Sequence, residues 1–111
     1  MEIKNSSRFR GMLGFAMRAG KVLIGTDTVC ASMSRKGAAQ IHIVLIPNTA
    51  SSNAIDKITR RCTAHSVRYC IIDMDAGELG ALLGKLYAPS AVAICDEHFA
   101  TEISRAVTGE E

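Results

Sequence analysis

The stretch RAGKVLIGTDTV, from Arg18 to Val29, is typical of a helix end followed by a short strand and a new helix. Gly20 can take the left-handed backbone conformation that commonly ends a helix. Val22–Ile24 is a short apolar run, as in a buried strand. Gly25 and the two residues after it offer a turn and oxygen atoms that can cap the N–H groups of a helix. The stretch therefore predicts a helix–strand–helix unit.

The same alternation continues through the chain and predicts the order α-β-α-β-α-β-α-β-α. Strands are predicted at Val22–Ile24, Ile41–Ile46, Tyr69–Ile72 and Ala91–Cys95. Helix signals are an N-cap at Ser6 or Ser7, a stop at Gly37 after about Lys36, a third helix with Ile55, Ile58 and Cys62 on its inner face, a capping box at Asp75 and Glu78, and an N-cap at Asp96. Almost wholly apolar strands between helices predict an α/β fold whose sheet is covered on both faces.

The length of 111 residues fits one domain, residues 1–111, with residues 1–6 and 108–111 expected to be frayed. The beginning, MEIKNSSRFRG, lacks the apolar segment of a secretory signal. The longest apolar run, around Ile43–Pro47, is too short to span a bilayer. We therefore expect a cytoplasmic protein with no membrane partner and with reduced cysteines.

Charge is distributed unevenly along the chain. Residues 1–68 contain eleven lysines and arginines and three acids, whereas residues 69–111 contain two bases and eight acids, giving net charges of +8 and −6. One interpretation is that one face binds an anionic partner. The other is that basic and acidic helices neutralise each other.

The letters RAGK suggest a nucleotide-binding P-loop, but the spacing excludes one. A P-loop has four residues between its first glycine and Gly-Lys, followed by Ser or Thr. Here five residues separate Gly14 from Gly20, and Val22 follows Lys21. Gly20 also ends a helix before a strand, which is the reverse of P-loop order. We therefore expect no nucleotide cofactor.

The letters GTDTV, by contrast, follow a strand and open a helix. The backbone N–H groups and the positive end of the helix dipole are then available to a phosphate. Thr26, Asp27 and Thr28 could contact bases or sugars, and Lys21 and Arg35 could supply charge. An ordinary helix cap is the alternative interpretation of the same residues.

Two Cys-x-x-His pairs, Cys62 with His65 and Cys95 with His98, could supply zinc ligands or a nucleophile. Cys62 lies on the apolar face of its predicted helix, and Cys95 ends a buried strand. The acidic surroundings of His98 disfavour a reactive thiolate. We therefore predict core thiols and surface imidazoles, with no metal, no cofactor and no catalytic residue.

Several segments together carry a family resemblance, namely LGFAMRAGKVLIGTDTV, IHIVLIP, RYCIID, ELGALLGK and SAVAICDEHFA, within about residues 9–107. The chain resembles the kink-turn RNA-binding ribosomal protein superfamily of the large-subunit L7Ae type, most closely its short bacterial members. The resemblance implies a three-layer α-β-α sandwich with a four-stranded mixed sheet. It also implies a non-enzymatic RNA-binding protein linked to the ribosome or translation.

In that family the pattern Gly-x-Asn-Glu-x-x-Lys binds the sheared G·A pairs of a kink-turn. The matching residues here are Gly25, Asp27, Thr28 and Ala31, so the amide donor, the carboxylate and the lysine are replaced. Each lost base contact costs about 1–3 kcal/mol of discrimination. The resemblance therefore implies RNA binding in which phosphate contacts dominate, with a strong dependence on salt.

A second family contact, an apolar loop that caps bulged nucleotides, matches Leu86, Tyr87 and Ala88. We expect structured RNA, ribosomal or regulatory, as the partner, with the ribosome as a further candidate and no DNA. The predicted RNA contacts are Lys21, Gly25, Thr26, Asp27, Thr28, Arg35, Lys36, Lys85, Leu86, Tyr87 and Ala88. The alternatives are a protein-interaction module on the same fold and a thiol- or metal-dependent enzyme.

Overall fold

The computed structural model describes residues 1–35 and 40–109, which form five helices and four strands. In chain order these are α1 (Ser6–Arg18), β1 (Val22–Ile24), α2 (Thr26–Ser34), β2 (Ile43–Pro47), α3 (Ser52–Ala64), β3 (Arg68–Ile72), α4 (Ala76–Leu82), β4 (Val92–Ile94) and α5 (Glu97–Thr108). The predicted order of elements is confirmed. The predicted stop at Gly37 lies outside the described residues. No helix within them is long and apolar enough to cross a bilayer.

The four strands form one mixed sheet in the order β1-β4-β2-β3. Strand β4 is antiparallel to both β1 and β2, whereas β2 and β3 are parallel. The ends of β1, β2 and β3 therefore lie at the same edge of the sheet as the start of β4. We call this the helix-start edge, because α2, α3 and α4 begin there.

Helices cover both faces of the sheet and form two cores. Alternate residues of β2 point to opposite faces, as expected for a strand, so that Leu45 joins one core and Val44 the other. Helices α1, α4 and α5 surround the first core, with Phe9 fully buried; α2 and α3 cover the second, with Ile58 fully buried. The three-layer α-β-α sandwich with a four-stranded mixed sheet is thereby confirmed.

Several predicted helix ends are confirmed by their hydrogen bonds. Asp96 caps α5 by accepting from the Phe99 N–H at 3.0 Å. Asp75 caps α4 by accepting from the Gly77 N–H at 2.8 Å. Gly20 follows α1 with a φ of +71°, the left-handed conformation expected of a helix stop. These short-range signals are sufficient to predict the helix ends, because each capping residue forms its hydrogen bonds within the first or last turn of its own helix.

The predicted N-cap of α1 is wrong by one or two residues. The cap is Asn5, whose side chain accepts from the Arg8 N–H at 3.1 Å, and both Ser6 and Ser7 lie inside the helix. Asn5 itself is fixed from a distance, because its N–H donates to the Ala106 carbonyl at 2.8 Å. Asn and Ser are comparable caps, so this tertiary hydrogen bond favours Asn5.

The capping box predicted at the start of α4 is half formed. Asp75 caps the helix, but the Glu78 carboxylate forms an ion pair with Arg10 of α1. Arg8 of α1 likewise pairs with Glu102 of α5. The basic first half of the sequence therefore meets the acidic second half on this face, as the neutralisation interpretation predicted for part of the molecule.

Strand limits differ from the predicted ones by one or two residues. Strand β2 begins at Ile43 rather than Ile41, because Ile43, which faces Ile94, is the first residue of β2 that pairs with β4. Strand β2 ends at Pro47. Strand β3 begins one residue earlier than predicted, at Arg68, which also faces Ile43.

Residues 1–5, for which the sequence predicts fraying, are held by backbone hydrogen bonds. The Lys4 N–H donates to the Val107 carbonyl at 3.1 Å, and the Asp73 N–H donates to the Met1 carbonyl at 2.9 Å. Helix α5 continues to Thr108. This first segment therefore lies between the end of α5 and the end of β3.

Candidate nucleic-acid interface

The two loops predicted to bind RNA lie at the same edge of the sheet. Ile24, the last residue of β1, faces Val92, the first residue of β4. The Gly25 N–H donates to the Ala91 carbonyl at 2.9 Å. The start of α2 and the end of the loop that leads into β4 therefore meet at the helix-start edge. These two segments contain the candidate residues Gly25, Thr26, Asp27, Thr28, Lys85, Leu86, Tyr87 and Ala88.

The start of α2 is open to a ligand. Its N-cap is Gly25, with a φ of +104°, and no side chain caps the helix. The prediction that Thr26 and Asp27 cap α2 is therefore wrong, since Asp27 instead faces Lys57, with Oδ1 and Nζ 3.4 Å apart. Within residues 1–35 and 40–109, the first three N–H groups of α2 have no protein acceptor. Such a helix start favours an anion.

The loop before β4 presents apolar side chains to solvent. Leu86 is fully exposed, and 55% of the Tyr87 surface is exposed. The backbone of this loop is fixed on α4, because the Lys85 N–H donates to the Gly80 carbonyl at 2.9 Å. Gly80 is buried, and a Cβ there would overlap the Tyr87 carbonyl oxygen. The side chains of Leu86 and Tyr87 are thus exposed, while the backbone of their loop is packed closely against α4.

Two of the predicted basic residues lie at the opposite edge of the sheet. Lys21 precedes β1, and its carbonyl accepts from the Cys95 N–H, beyond the end of β4. Arg35 follows α2 and lines a cavity with Ile41 and Val67, which precede β2 and β3. The structure therefore does not bring Lys21 or Arg35 to the two loops. Lys36 lies outside the described residues.

Two other cations lie near the start of α2, although sequence reasoning did not place them there. Lys57 and Arg61 of α3 line a hollow together with Asp27 and Ala31 of α2. Arg61 also donates to Ser34 Oγ at 3.2 Å. The spacing of four residues puts both cations on one face of α3. Sequence alone could identify that face, but not that it lies beside α2.

The cysteines of the two Cys-x-x-His pairs are poorly suited to act as nucleophiles. Burial, with a smaller contribution from the nearby Cys30, raises the pKa of Cys62 to about 11. Burial also raises the pKa of Cys95, although Lys21 acts in the opposite direction. Both thiols are therefore protonated near neutral pH in the metal-free protein, whereas a nucleophile is a thiolate. The described part of the chain holds no cluster of three or more potential metal ligands.

Comparisons with known proteins identify relatives that cover most of the chain. The chain is 36% identical over 92 residues to the RNA-binding protein YlxQ of Bacillus subtilis (strain 168), covering 83% of this chain and 87% of the relative. It is 28% identical over 106 residues to the RNA-binding protein YlxQ of Enterococcus faecium, covering 95% and 96%.

Solved structures share the fold at low sequence identity. A protein with unknown function from Bacillus halodurans superposes with a TM-score of 0.79 at 19% identity, covering 90% of this chain and 96% of that one. The Giardia lamblia 15.5kD RNA binding protein superposes with a TM-score of 0.69 at 14% identity, covering 94% and 85%. A model of the ribosomal protein L7Ae/L30e/S12e/Gadd45 family matches residues 7–104, and the chain therefore belongs to that family.

Proposed function

We propose that this protein binds structured RNA at the helix-start edge and catalyses no reaction. The observation that carries the proposal is the position of two unlike features at one edge. One is the uncapped start of α2, which favours phosphate; the other is the exposed loop with Leu86 and Tyr87, which suits unstacked bases. The printed names of the relatives, RNA-binding proteins, support the same conclusion.

Each part of the edge has a proposed role. The N–H groups of residues 26–28, with Lys57 and Lys85, hold phosphate oxygens. Asp27 and Thr28, both exposed, contact base edges or sugars. Tyr87 and Leu86 stack on or cap an unpaired nucleotide. Lys21 and Arg35 belong to the opposite edge and take no part in this site.

We propose that the RNA contains a kink-turn and that discrimination against other structured RNA is modest. Thr28 and Ala31 replace the glutamate and lysine of the family pattern, so two base-directed contacts are missing. Lys57 and Arg61 enter the hollow beside Ala31 from α3, and in this proposal they supply the missing positive charge. The ribosomal members of the family favour a cytoplasmic role with RNA of the translation apparatus.

Titration of a kink-turn RNA and of an unkinked duplex tests the proposal at several salt concentrations. We expect both RNAs to bind, the kink-turn more tightly, and both affinities to fall steeply as salt increases. Equal affinities would contradict kink-turn recognition and leave RNA binding intact. If neither RNA binds, and captured proteins persist after ribonuclease treatment, the fold serves as a protein-interaction module instead.

Tyr87→Ala is expected to weaken RNA binding about tenfold or more, because base–aromatic stacking contributes about 1–3 kcal/mol per base. The matched control is Phe15→Ala on α1, since Phe15 is 53% exposed and stacks under Arg18 at 4.9 Å, away from both loops. Affinity is measured by titration at fixed salt. Equal losses in the two variants would argue against a specific role for Tyr87.

A further inference from the structure

The outer surface of α3 carries more positive charge than neighbouring acids offset within the described part of the chain. Lys57, Arg60 and Arg61 are all exposed on this helix. Among the described residues, neither Arg60 nor Arg61 has a carboxylate within ion-pair distance, and Lys57 meets the exposed Asp27 at 3.4 Å. Arg8 and Arg10 of α1, by contrast, pair with acids of α5 and α4. Among the described residues, the three exposed cations of α3 therefore meet one carboxylate within ion-pair distance, that of Asp27.

The positions of these cations form a path that leaves the helix-start edge. Lys57 and Arg61 border the hollow beside the start of α2, whereas Lys57, Arg60 and Arg61 border a second, shallow hollow on the outer surface of α3. Residues three and four apart on a helix lie about 5–6 Å apart, comparable to the spacing of successive phosphates along one RNA strand. Asp56 also borders the second hollow, so three cations face one carboxylate there.

An aromatic ring lies at the far end of the path. Tyr69 is 42% exposed and borders a hollow with Arg60, Thr59 and Thr63. It faces Val44 in the sheet, and Val44 belongs to the core under α2 and α3. Tyr69 is therefore on the α3 side, beside Arg60, for which the described residues supply no acid partner. An exposed ring next to an unpaired arginine is a combination that nucleic-acid surfaces use for stacking and cation–π contact.

We propose that Lys57, Arg60, Arg61 and Tyr69 form a second RNA-binding surface along α3. The three cations hold the phosphate backbone of a stem that continues from the helix-start edge, and Tyr69 stacks on an unpaired base at the far end of that stem. This rests on the proposed function, because the first contact positions the stem. The helix is 13 residues long and rises about 20 Å, so a stem must extend beyond the kinked region to reach Arg60 and Tyr69.

Two RNAs and two variants test this surface. One RNA contains only the kinked region with short stems, and the other has a stem extended by a full helical turn. Arg60→Gln removes a cation of the surface. The matched control is Arg68→Gln, which removes an exposed arginine that also has no ion pair with any described residue. Arg68 faces Ile43 and so belongs to the opposite side of the sheet.

We expect the unmodified protein to bind the extended RNA roughly tenfold more tightly than the short one, with a steeper salt dependence. Arg60→Gln should reduce the slope of log affinity against log salt by about 1 for the extended RNA and leave the short RNA unchanged. Arg68→Gln should leave both unchanged. The proposal of a second surface is overturned if the extension gives no gain in affinity, or if the two variants have equal effects. Either result is also expected if α3 binds an acidic protein instead. If the unmodified protein fails to bind even the short RNA, the proposed function itself has failed.

Discussion

Gly80→Ala is expected to lower the free energy of unfolding by about 2 kcal/mol, because overpacking a tight contact costs about 1–3 kcal/mol and exceeds the gain from a better helix former. The new methyl group would overlap the Tyr87 carbonyl oxygen and lie 3.1 Å from Pro89 Cδ. Relief requires the loop to leave α4, which would break the hydrogen bond from the Lys85 N–H. RNA affinity should fall with it. Urea denaturation and RNA titration measure the two effects.

The matched control is Gly11→Ala in the middle of α1. Apart from its chain neighbours and the nearby backbone of α1, no described atom lies within 4 Å of a Cβ added there, so alanine should stabilise the protein by about 0.5–1 kcal/mol through helix propensity alone. RNA affinity should not change. If Gly80→Ala matched Gly11→Ala in both stability and RNA binding, the loop would not depend on its contact with α4.

The second large effect is a loss of stability in alkali that depends on Cys62. In the unfolded chain this thiol ionises near its ordinary pKa of 9.0, whereas burial raises the pKa to about 11 in the folded protein. Between these values the unfolded state holds fewer protons, so stability falls as pH rises. At about 1.4 kcal/mol per pKa unit, we expect a loss of about 2 kcal/mol between pH 8 and pH 10.5.

Cys62→Ala is the comparison that isolates this thiol. The variant is expected to be less stable at pH 8, because alanine leaves the core underfilled, but to lose about 2 kcal/mol less than the unmodified protein between pH 8 and pH 10.5. Burial also raises the pKa values of Cys70 and Cys95, and their contribution cancels in the difference. Urea denaturation with a reductant present gives the free energies. Parallel pH profiles would show that Cys62 does not titrate as proposed.

Most of the fold could be predicted because its signals are local. Apolar strands alternate with amphipathic helices, and Asp75, Asp96 and Gly20 act within their own turns. The errors arise where a distant residue competes. Asn5 caps α1 because α5 holds its backbone, and Glu78 leaves the capping box for Arg10 of α1. Such competition between partners is not encoded in spacing along the chain.

The candidate site could be predicted in part for the same reason. The start of α2 and the loop at Leu86 follow from element order and family resemblance, and the pairing of β1 with β4 brings them to one edge. The basic residues were harder to place. Lys21 and Arg35 are close to the site in sequence but lie at the opposite edge of the sheet. Lys57 is distant in sequence but lies beside Asp27 in the fold. Choosing between them requires the packing of α3 against α2.

The pairing of β1 with β4 and of α1 with α5 also determines when the fold can form. Phe9 and Leu13 are buried against elements from the last third of the chain, and β1 has no strand neighbour other than β4 within the described residues. During synthesis these apolar side chains stay uncovered until α5 has emerged. Such non-local closure slows folding and favours all-or-none formation. A nascent chain that stops before Val92 would therefore be a substrate for chaperones rather than a partly working protein.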